Sequence, residues 1–279
     1  MNKKERQFAN IVLEHYRVYG RHELPWRNTR DPYKIVVSEL MLQQTQVDRV
    51  VPKYVAFVKM FPTVKELAVA PFGDVLRLWQ GLGYNRRARY LHQTAKIVDH
   101  EWGGVFPSIR NDLEALPGIG KYTAGAVMTF AYNKPVALIE TNVRQVYLHH
   151  FFKNKTAVSD SSILHLVEKT IWRKCPREWY WALMDYGAYL KQQQGNRNQQ
   201  SKHYVKHEKF CGSDRQIRGA IISILVKNNA VSISSNQLQT QLVKLLPQLE
   251  GVSMRVMKQL ARLKNEGMIK QKRDQYFLG

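Results

Sequence analysis

The run Leu116-Pro-Gly-Ile-Gly-Lys-Tyr-Thr-Ala-Gly-Ala-Val127 holds the residues best suited to gripping an anion. Proline and two glycines two positions apart cannot sit inside a regular helix, but they build a tight turn between two helices. From Lys121 the sequence turns helical, and the small residues Ala124, Gly125 and Ala126 allow close packing. A helix that starts there aims its first unsatisfied amides outward. Such a terminus binds phosphate through N–H groups and the helix dipole, without reading a base. Leu116, Gly118, Gly120, Lys121 and Thr123 are the candidate phosphate residues, with an ordinary interhelical turn as the other reading. The second chemical candidate is Glu39, mid-helix on a line with Val36, Gln43 and Gln46. That stripe is partly apolar, so desolvation would raise the carboxyl pKa and suit it to giving up a proton. Taken alone, a helix carboxylate in an ion pair is the commoner reading.

Composition leans toward a polyanionic partner. The 279 residues include 43 Lys+Arg against 22 Asp+Glu, a formal net charge of +21. A hydrophobic content of 44% is ample for one large core and a smaller one. No apolar run approaches the roughly 18 residues of a membrane span, so no membrane association is expected. The charged start Met-Asn-Lys-Lys-Glu-Arg does not resemble a secretory signal. Two cysteines, Cys175 and Cys211, cannot make a disulfide framework or a four-thiolate metal site. A reducing cytoplasm fits, at the nucleoid if the source is bacterial. Oligomeric state is open.

The elements that must position these residues are helical. Helical spacing covers Glu5 to Tyr19, and Asp31-Pro32 is a helix start that the pattern carries through about Val50. Further helices are expected near Thr63–Ala68, Gly73–Gln80, Arg86–His100, Ile109–Ala115, Lys121–Tyr132, Glu140–His150, Ser161–Ile171 and Trp179–Leu190. No alternating strand stands out before residue 190. Residues 191–212 begin with a Gln/Asn-rich stretch and read as an exposed linker. Beyond it, Ile217, Ile221 and Leu225 mark one helix, Leu238–Leu246 a second and Val252–Asn265 a third. A terminal hairpin turning near Arg273-Asp274 follows. This is the layout of a winged helix, with Val256, Leu260 and Leu263 inward and Arg255, Lys258 and Arg262 on the other face. Its net charge from Asp214 to Gly279 is +7. A module whose third helix approaches a DNA groove is one reading, and a partner-docking module the other.

The N-terminal 210 residues resemble the helix-hairpin-helix DNA glycosylases of the MutY type, which remove adenine mispaired with guanine or 8-oxoguanine. The motifs appear in order: Leu24-Pro-Trp-Arg27, Asp31-Pro-Tyr33, Ser38-Glu-Leu-Met-Leu-Gln-Gln-Thr-Gln-Val47 and Phe61-Pro-Thr63. Trp79-Gln-Gly-Leu-Gly-Tyr84, Arg87-Ala-Arg89, the Pro-Gly-Ile-Gly hairpin and Met184-Asp-Tyr-Gly-Ala188 follow. The resemblance implies a mainly α, two-lobed helix-hairpin-helix glycosylase domain over residues 1–190. The six-helix lobe would span about 27–134 and the second lobe 1–26 with 135–190, followed by the linker and a small winged-helix-like domain at 213–279.

It also implies roles. A base buried in duplex DNA must be extruded before its glycosidic bond is reached. Glu39 would protonate the leaving adenine. The family's second carboxylate is an Asp opening an Asp-Gly-Asn-Val stretch, and here Glu140-Thr-Asn-Val143 stands instead. Glu keeps the charge on an arm longer by about 1.5 Å. Glu140 is thus the candidate for stabilising the sugar cation. Lyase-active relatives carry Lys at the second residue after the hairpin's last Gly. Here that residue is Tyr122, and Lys121 is rotated about a hundred degrees away. A monofunctional glycosylase using water follows. Tyr122, Trp26 and Arg27 are base-pocket candidates. Gln43, Gln44 and Tyr84 would probe the gap left by the extruded base, and Arg86 and Arg87 would meet phosphate.

Two departures qualify the likeness. The usual four-cysteine iron–sulfur loop is missing, with Lys191 where its first Cys would stand, so no cluster is expected. No other cofactor is expected, although a monovalent cation could sit at the hairpin. His203 and His207 have metal-pair spacing but lack a third ligand, while Lys202, Lys206 and Lys209 could meet phosphate. The winged-helix-like segment stands where most MutY-type enzymes carry a large domain that reads 8-oxoguanine. Duplex DNA with a mismatched or damaged pair is the expected partner. A thymine or uracil glycosylase at G:T or G:U pairs, and a catalytically silent DNA-binding homologue, are the alternatives.

Overall fold

The computed structural model describes residues 1–205, 210–228, 232–247 and 252–279, the side chains at 252 and 253 excepted. Lys206, His207 and Lys209, and with His207 the metal-pair spacing, lie outside the described residues. In chain order the helices begin with α1 (Lys3–Tyr19), α2 (Pro32–Leu42), α3 (Val47–Met60), α4 (Val64–Val69), α5 (Phe72–Trp79), α6 (Arg86–Trp102) and α7 (Arg110–Ala115). They continue with α8 (Lys121–Phe130), α9 (Thr141–Phe151), α10 (Asp160–Thr170), α11 (Pro176–Gln194), α12 (Asp214–Lys227), α13 (Ser235–Leu245) and α14 (Val252–Asn265). Strands β1 (Ile233–Ser234), β2 (Ile269–Lys272) and β3 (Gln275–Leu278) form one antiparallel sheet in the order β1-β3-β2. No described helix is long and apolar enough to cross a membrane.

Contacts gather the chain into two compact units, Met1–Glu39 with Phe106–Lys206, and Leu40–Val105 with His207–Gly279. The lobes expected from sequence divide near residues 27 and 134, whereas the contacts divide the chain within α2 and after Val105. The hairpin helices α7 and α8 pack on each other, and α8 packs on α11. They therefore belong with the first unit.

In the first unit, α1, α9 and α11 pack around Phe8, whose ring meets Tyr147, Phe151 and Trp179 at 5.2, 5.0 and 5.9 Å. A capping box between Asn2 and Glu5 starts α1. The segment after α11 departs from the exposed linker read from sequence. Helix α11 runs on to Gln194, and the following residues dock on α9. Gln145 is fully buried because both ends of its amide are used: Nε2 donates to Gly195 O and Oε1 accepts from Arg197 N, each at 2.8 Å. Asn198 donates to Thr141 O at 3.1 Å, and Val158 and Ser201 form a bridge. A polar stretch is held here by polar partners that a hydrophobic pattern does not reveal.

The second unit corrects the long helix expected from Asp31 to Val50. Helix α2 ends at Leu42, Gln44 takes φ +54°, and α3 starts at Val47. The guanidinium of Arg87, buried at 7% exposure, makes this break tolerable. It donates to the carbonyls of Leu40 (2.7 Å), Met41 (3.0 Å), Gln43 (2.5 Å), Leu82 (3.2 Å) and Gly83 (3.0 Å) and to Thr45 Oγ1 (3.2 Å). The orphan carbonyls at the end of α2 are thereby satisfied.

The C-terminal module has the expected winged-helix order. Ile217, Ile221 and Leu225 of α12 and Val256, Leu260 and Leu263 of α14 are buried, and the β2–β3 turn falls at Arg273-Asp274. Within its unit it is fastened by Glu266, which pairs with Arg86 and Arg218 at 2.5 Å each. Leu278 also lies over Gly73 at the start of α5.

Candidate functional site

Three of the chemically interesting residues come together in the first unit: Glu39 in the last turn of α2, Tyr122 in the first turn of α8, and Glu140 at the start of α9. Each is placed by its own local sequence. Helix α2 starts where expected, with Asp31 Oδ1 accepting from Tyr33 N at 2.9 Å ahead of Pro32. Its next turns are sunk in the core through Ile35, Val36 and Val37. Glu39, two positions past Val37, keeps only 8% of its surface.

The hairpin before α8 turns through Gly118 at φ +76°, with Ile119 N donating to Leu116 O at 3.1 Å. Leu116 and Ile119 anchor it in the core, and Gly120 is the N-cap. Every position from Thr123 to Phe130 is buried. Lys121 is exposed, while Tyr122 turns inward and stays half-buried. The start of α8, with Gly120 as N-cap, is the end of a helix dipole on which the phosphate reading rests.

Glu140 depends on close approaches between helices. A side chain at Gly125 would lie 2.5 Å from Leu138, so the strap leading to Glu140 crosses α8 where that helix has no Cβ. Tyr180 holds the strap from the other side, its hydroxyl accepting from Leu138 N at 2.8 Å and donating to Val136 O at 2.9 Å. Gly187 lets the first turn of α9 sit on α11, because a Cβ there would come within 2.3 Å of Asn142 O. Tyr180 and the packing purpose of Gly125 and Gly187 were not singled out from sequence. The small residues in both motifs were the available signal.

The two carboxylates live in different surroundings. Glu140 is itself the N-cap of α9, with Oε1 accepting from Val143 N at 2.7 Å and Oε2 from Thr141 Oγ1 at 3.1 Å. Burial pushes its pKa up, but the Asn142 and Val143 amides, the Thr141 hydroxyl and the charge of Arg144 all pull it down. Glu39 has one such helper. Burial first, and the Glu140 charge second, raise its pKa to about 8, against a single hydrogen bond from the Tyr122 hydroxyl. The Tyr122 hydroxyl is in turn held protonated by burial and by the two carboxylates. Where two carboxyls interact and one is better solvated by donors, the other keeps the proton. Both carboxyls are raised by burial, and the donors around Glu140 favour its charged form more than the single hydroxyl at Glu39 favours that of Glu39.

Other sequence candidates are engaged in structure. Arg27, expected at the base pocket, is buried and bound to Asp185 at 2.7 and 2.9 Å, with its guanidinium 5.8 Å from the Tyr16 ring and 5.5 Å from the Trp181 ring. A buried carboxylate without such a partner would be strongly destabilising. Trp26, beside it, is buried at 8% exposure. Arg87, expected on phosphate, is consumed by carbonyls, and desolvation lowers its pKa to about 10. Arg86, expected on phosphate, pairs with Glu266.

Gln43 and Gln44 lie past the end of α2, in the turn that Arg87 closes, rather than on the helix. Gln44 is exposed, as is Tyr84 at φ +46°, whose hydroxyl accepts from Arg215 at 2.8 Å. In the C-terminal module, Arg255 and Arg262 converge on Asp214 at 2.8 and 3.6 Å, and Lys258 is exposed. The arginines expected at a DNA groove are therefore paired within the module.

A family model described as HhH-GPD superfamily base excision DNA repair protein matches residues 37–177. The adenine DNA glycosylase of Buchnera aphidicola subsp. Baizongia pistaciae is 38% identical over 187 residues, 66% of this chain and 52% of that protein. The adenine DNA glycosylase of Mycolicibacterium smegmatis is 34% identical over 224 residues, 74% of this chain and 76% of that protein. The chain thus spans about half of the first relative and three quarters of the second. Among solved structures, a thermostable thymine-DNA glycosylase superposes with a TM-score of 0.60 at 29% identity. It covers 67% of this chain and 87% of its own.

Proposed function

This chain belongs to the HhH-GPD superfamily of base excision DNA repair proteins, and from that premise we propose that it is a monofunctional DNA glycosylase. Its substrate in this reading is adenine opposite guanine or 8-oxoguanine, extruded from the duplex. The observation that carries the reading is the contrast between two neighbouring carboxyls: burial and the Glu140 charge raise the Glu39 pKa to about 8, while Glu140 caps α9 and accepts from Val143 N and the Thr141 hydroxyl. A general acid with a pKa near the working pH is the most effective kind.

Glu39 passes its proton to a ring nitrogen of the leaving base while the bond from that base to C1′ breaks and its electrons go to the base. The Glu140 carboxylate faces the positive charge growing on the sugar. Water then adds to C1′ and gives its proton to a carboxylate. Tyr122 occupies the place of the lyase lysine, so no amine is offered to the sugar, and Lys121 stays exposed for phosphate. No step calls on an iron–sulfur cluster. Cys175, at the start of α11, and the exposed Cys211 are two thiols where a cluster needs four. Acting on DNA places the protein with the chromosome.

The test is release of abasic sites from labelled duplexes carrying A:G, A:8-oxoguanine, G:T or G:U. Cleavage at adenine that is lost in both Glu39→Gln and Glu140→Gln is the expected result. Cleavage only at thymine or uracil would move the enzyme to the activity named for the thymine-DNA glycosylase structure. Tight binding without any cleavage would make the chain a silent homologue.

A further inference from the structure

The densest run of free positive charge in the C-terminal module, among the described residues, lies on its β2–β3 hairpin, whereas its third helix carries two exposed lysines, Lys258 and Lys264, and two paired arginines. On α14 the two arginines share Asp214, and the exposed positions 254, 257 and 261 are Met, Met and Ala. Met254, at 84% exposure, is the most open large apolar residue among those described in the module. Lys258 is the one exposed cation between them. A face of this kind gives a phosphate backbone little to hold.

The hairpin is built the other way. Lys270, Lys272 and Arg273 are all exposed, and none makes an ion pair among the described residues. Lys270 and Lys272 are two apart on β2, so they point to one side about 7 Å from each other. Arg273 takes φ +54° at the tip, and Lys264, also exposed, donates to Gln271 at 3.2 Å alongside. Asp274 is the one acidic residue between Gly267 and Gly279.

The hairpin also has a firm base. Met268, Ile269 and Tyr276 are buried, and Glu266 just before it is clamped by Arg86 and Arg218. Charges fixed on a rigid base lose less entropy on binding than charges on a loose tail.

We propose that this hairpin is a phosphate-contacting surface for duplex DNA, with Lys270, Lys272 and Arg273 as its contacts. The contact is independent of base sequence and separate from the Pro-Gly-Ile-Gly turn. It rests on the reading that DNA is the partner, and places the grip of the module on its wing.

The test is binding of the full chain to a short undamaged duplex, followed from about 50 to 200 mM salt, where each lost phosphate contact lowers the slope of log Kobs against log salt by about 0.9. The wing variant combines Lys270→Ala and Lys272→Ala with Arg273→Asn, since Asn tolerates the left-handed backbone at the tip. Its slope should fall by about 2 to 3, while Lys258→Ala with Arg262→Ala leaves the slope unchanged. Lys270→Gln alone, the milder variant should the triple change unfold the module, should lower it by about 1.

An unchanged slope in a folded wing variant, or a fall in the α14 variant instead, overturns the proposal. So does wing-dependent binding to polyglutamate but not to duplex, which would assign the surface to an acidic protein. Excision by the wild type is read separately. Wing-dependent binding without excision sinks the glycosylase reading and leaves the wing contact standing.

Discussion

Glu39 and Glu140 are both glutamates packed into the same unit, yet their surroundings suit them to the opposite tasks proposed for them. Glu39 sits in the last turn of a helix, where the backbone amides already serve intrahelical bonds and the Tyr122 hydroxyl donates to its carboxyl. Glu140 sits at a helix start, where the unsatisfied amides and the positive end of the dipole favour a negative charge. Burial raises both pKa values, and the supply of donors separates them. The difference also explains how Glu can stand where the MutY-type pattern has Asp. The longer arm folds back onto Val143 N as an N-cap, so its carboxylate stays at the start of α9.

The comparison can be broken most severely at the acid. Glu39→Gln should lower adenine excision by about 10²–10⁴-fold, the usual worth of a general acid, in single-turnover assays on an A:8-oxoguanine duplex. Glu140→Gln should cost about 10²–10³-fold by removing the fixed anion. Glu140→Asp should stay within about tenfold of the wild type, because Asp is the better N-cap and keeps the charge. Equal damage from Gln and Asp at 140 would mean that the position serves shape and not charge.

Gly187→Ala disturbs only the placement of the anion. Its Cβ would meet Asn142 O at 2.3 Å, so the start of α9 must move. Displacements of about 1 Å cost roughly a hundredfold in rate. The expected loss is in kcat with little change in DNA affinity, and a loss confined to KM would contradict it.

Stability reports the same asymmetry. Burial and the Glu140 charge raise the Glu39 pKa to about 8, so the folded protein should keep this proton well above the ordinary 4.5 at which the unfolded chain releases it. Between those values the folded state binds the extra proton, so this group's contribution to stability falls as pH rises through the window. Glu39→Gln should flatten that fall, by on the order of 4 kcal/mol between pH 5 and 9, in urea titrations at each pH. Parallel stability curves for variant and wild type would remove the shifted pKa from Glu39.

The smallest effect belongs to Tyr122→Phe. The hydroxyl is the one group pulling the Glu39 pKa down, so its loss should move the alkaline limb of excision to higher pH, with a rate change under about tenfold. A limb that moves down would mean that the hydroxyl supports the neutral acid.

Much of this was legible in the sequence because it is local. The hairpin glycines, the Asp31-Pro32 helix start and the β2–β3 turn at Arg273-Asp274 follow from residue type and spacing, whereas Glu39, read as mid-helix, was singled out through the family resemblance and lies in the last turn of α2. The arginines were read least well. Arg27, Arg86, Arg87, Arg255 and Arg262 all suggested phosphate, pocket or groove contacts. In the structure they serve Asp185, Glu266, a ring of carbonyls and Asp214, partners 41 or more residues away in the ion pairs. A guanidinium offers five donors and does not announce which acceptor takes them. The break after Leu42 was hidden for the same reason, since the group that satisfies it comes from α6. The docking of residues 195–202 on α9 rests on Gln145 and Asn198, polar residues that no periodicity marks as structural.

The most direct measurement is the titration of Glu39 itself, by carbon-13 NMR of glutamate carboxyl groups in the wild type and in Glu39→Gln. The difference spectrum should isolate one resonance that titrates near pH 8. A Glu39 resonance that titrates in the ordinary carboxylate range would mean that the group is an anion at neutral pH, and the assignment of acid and anion to these two residues would fall.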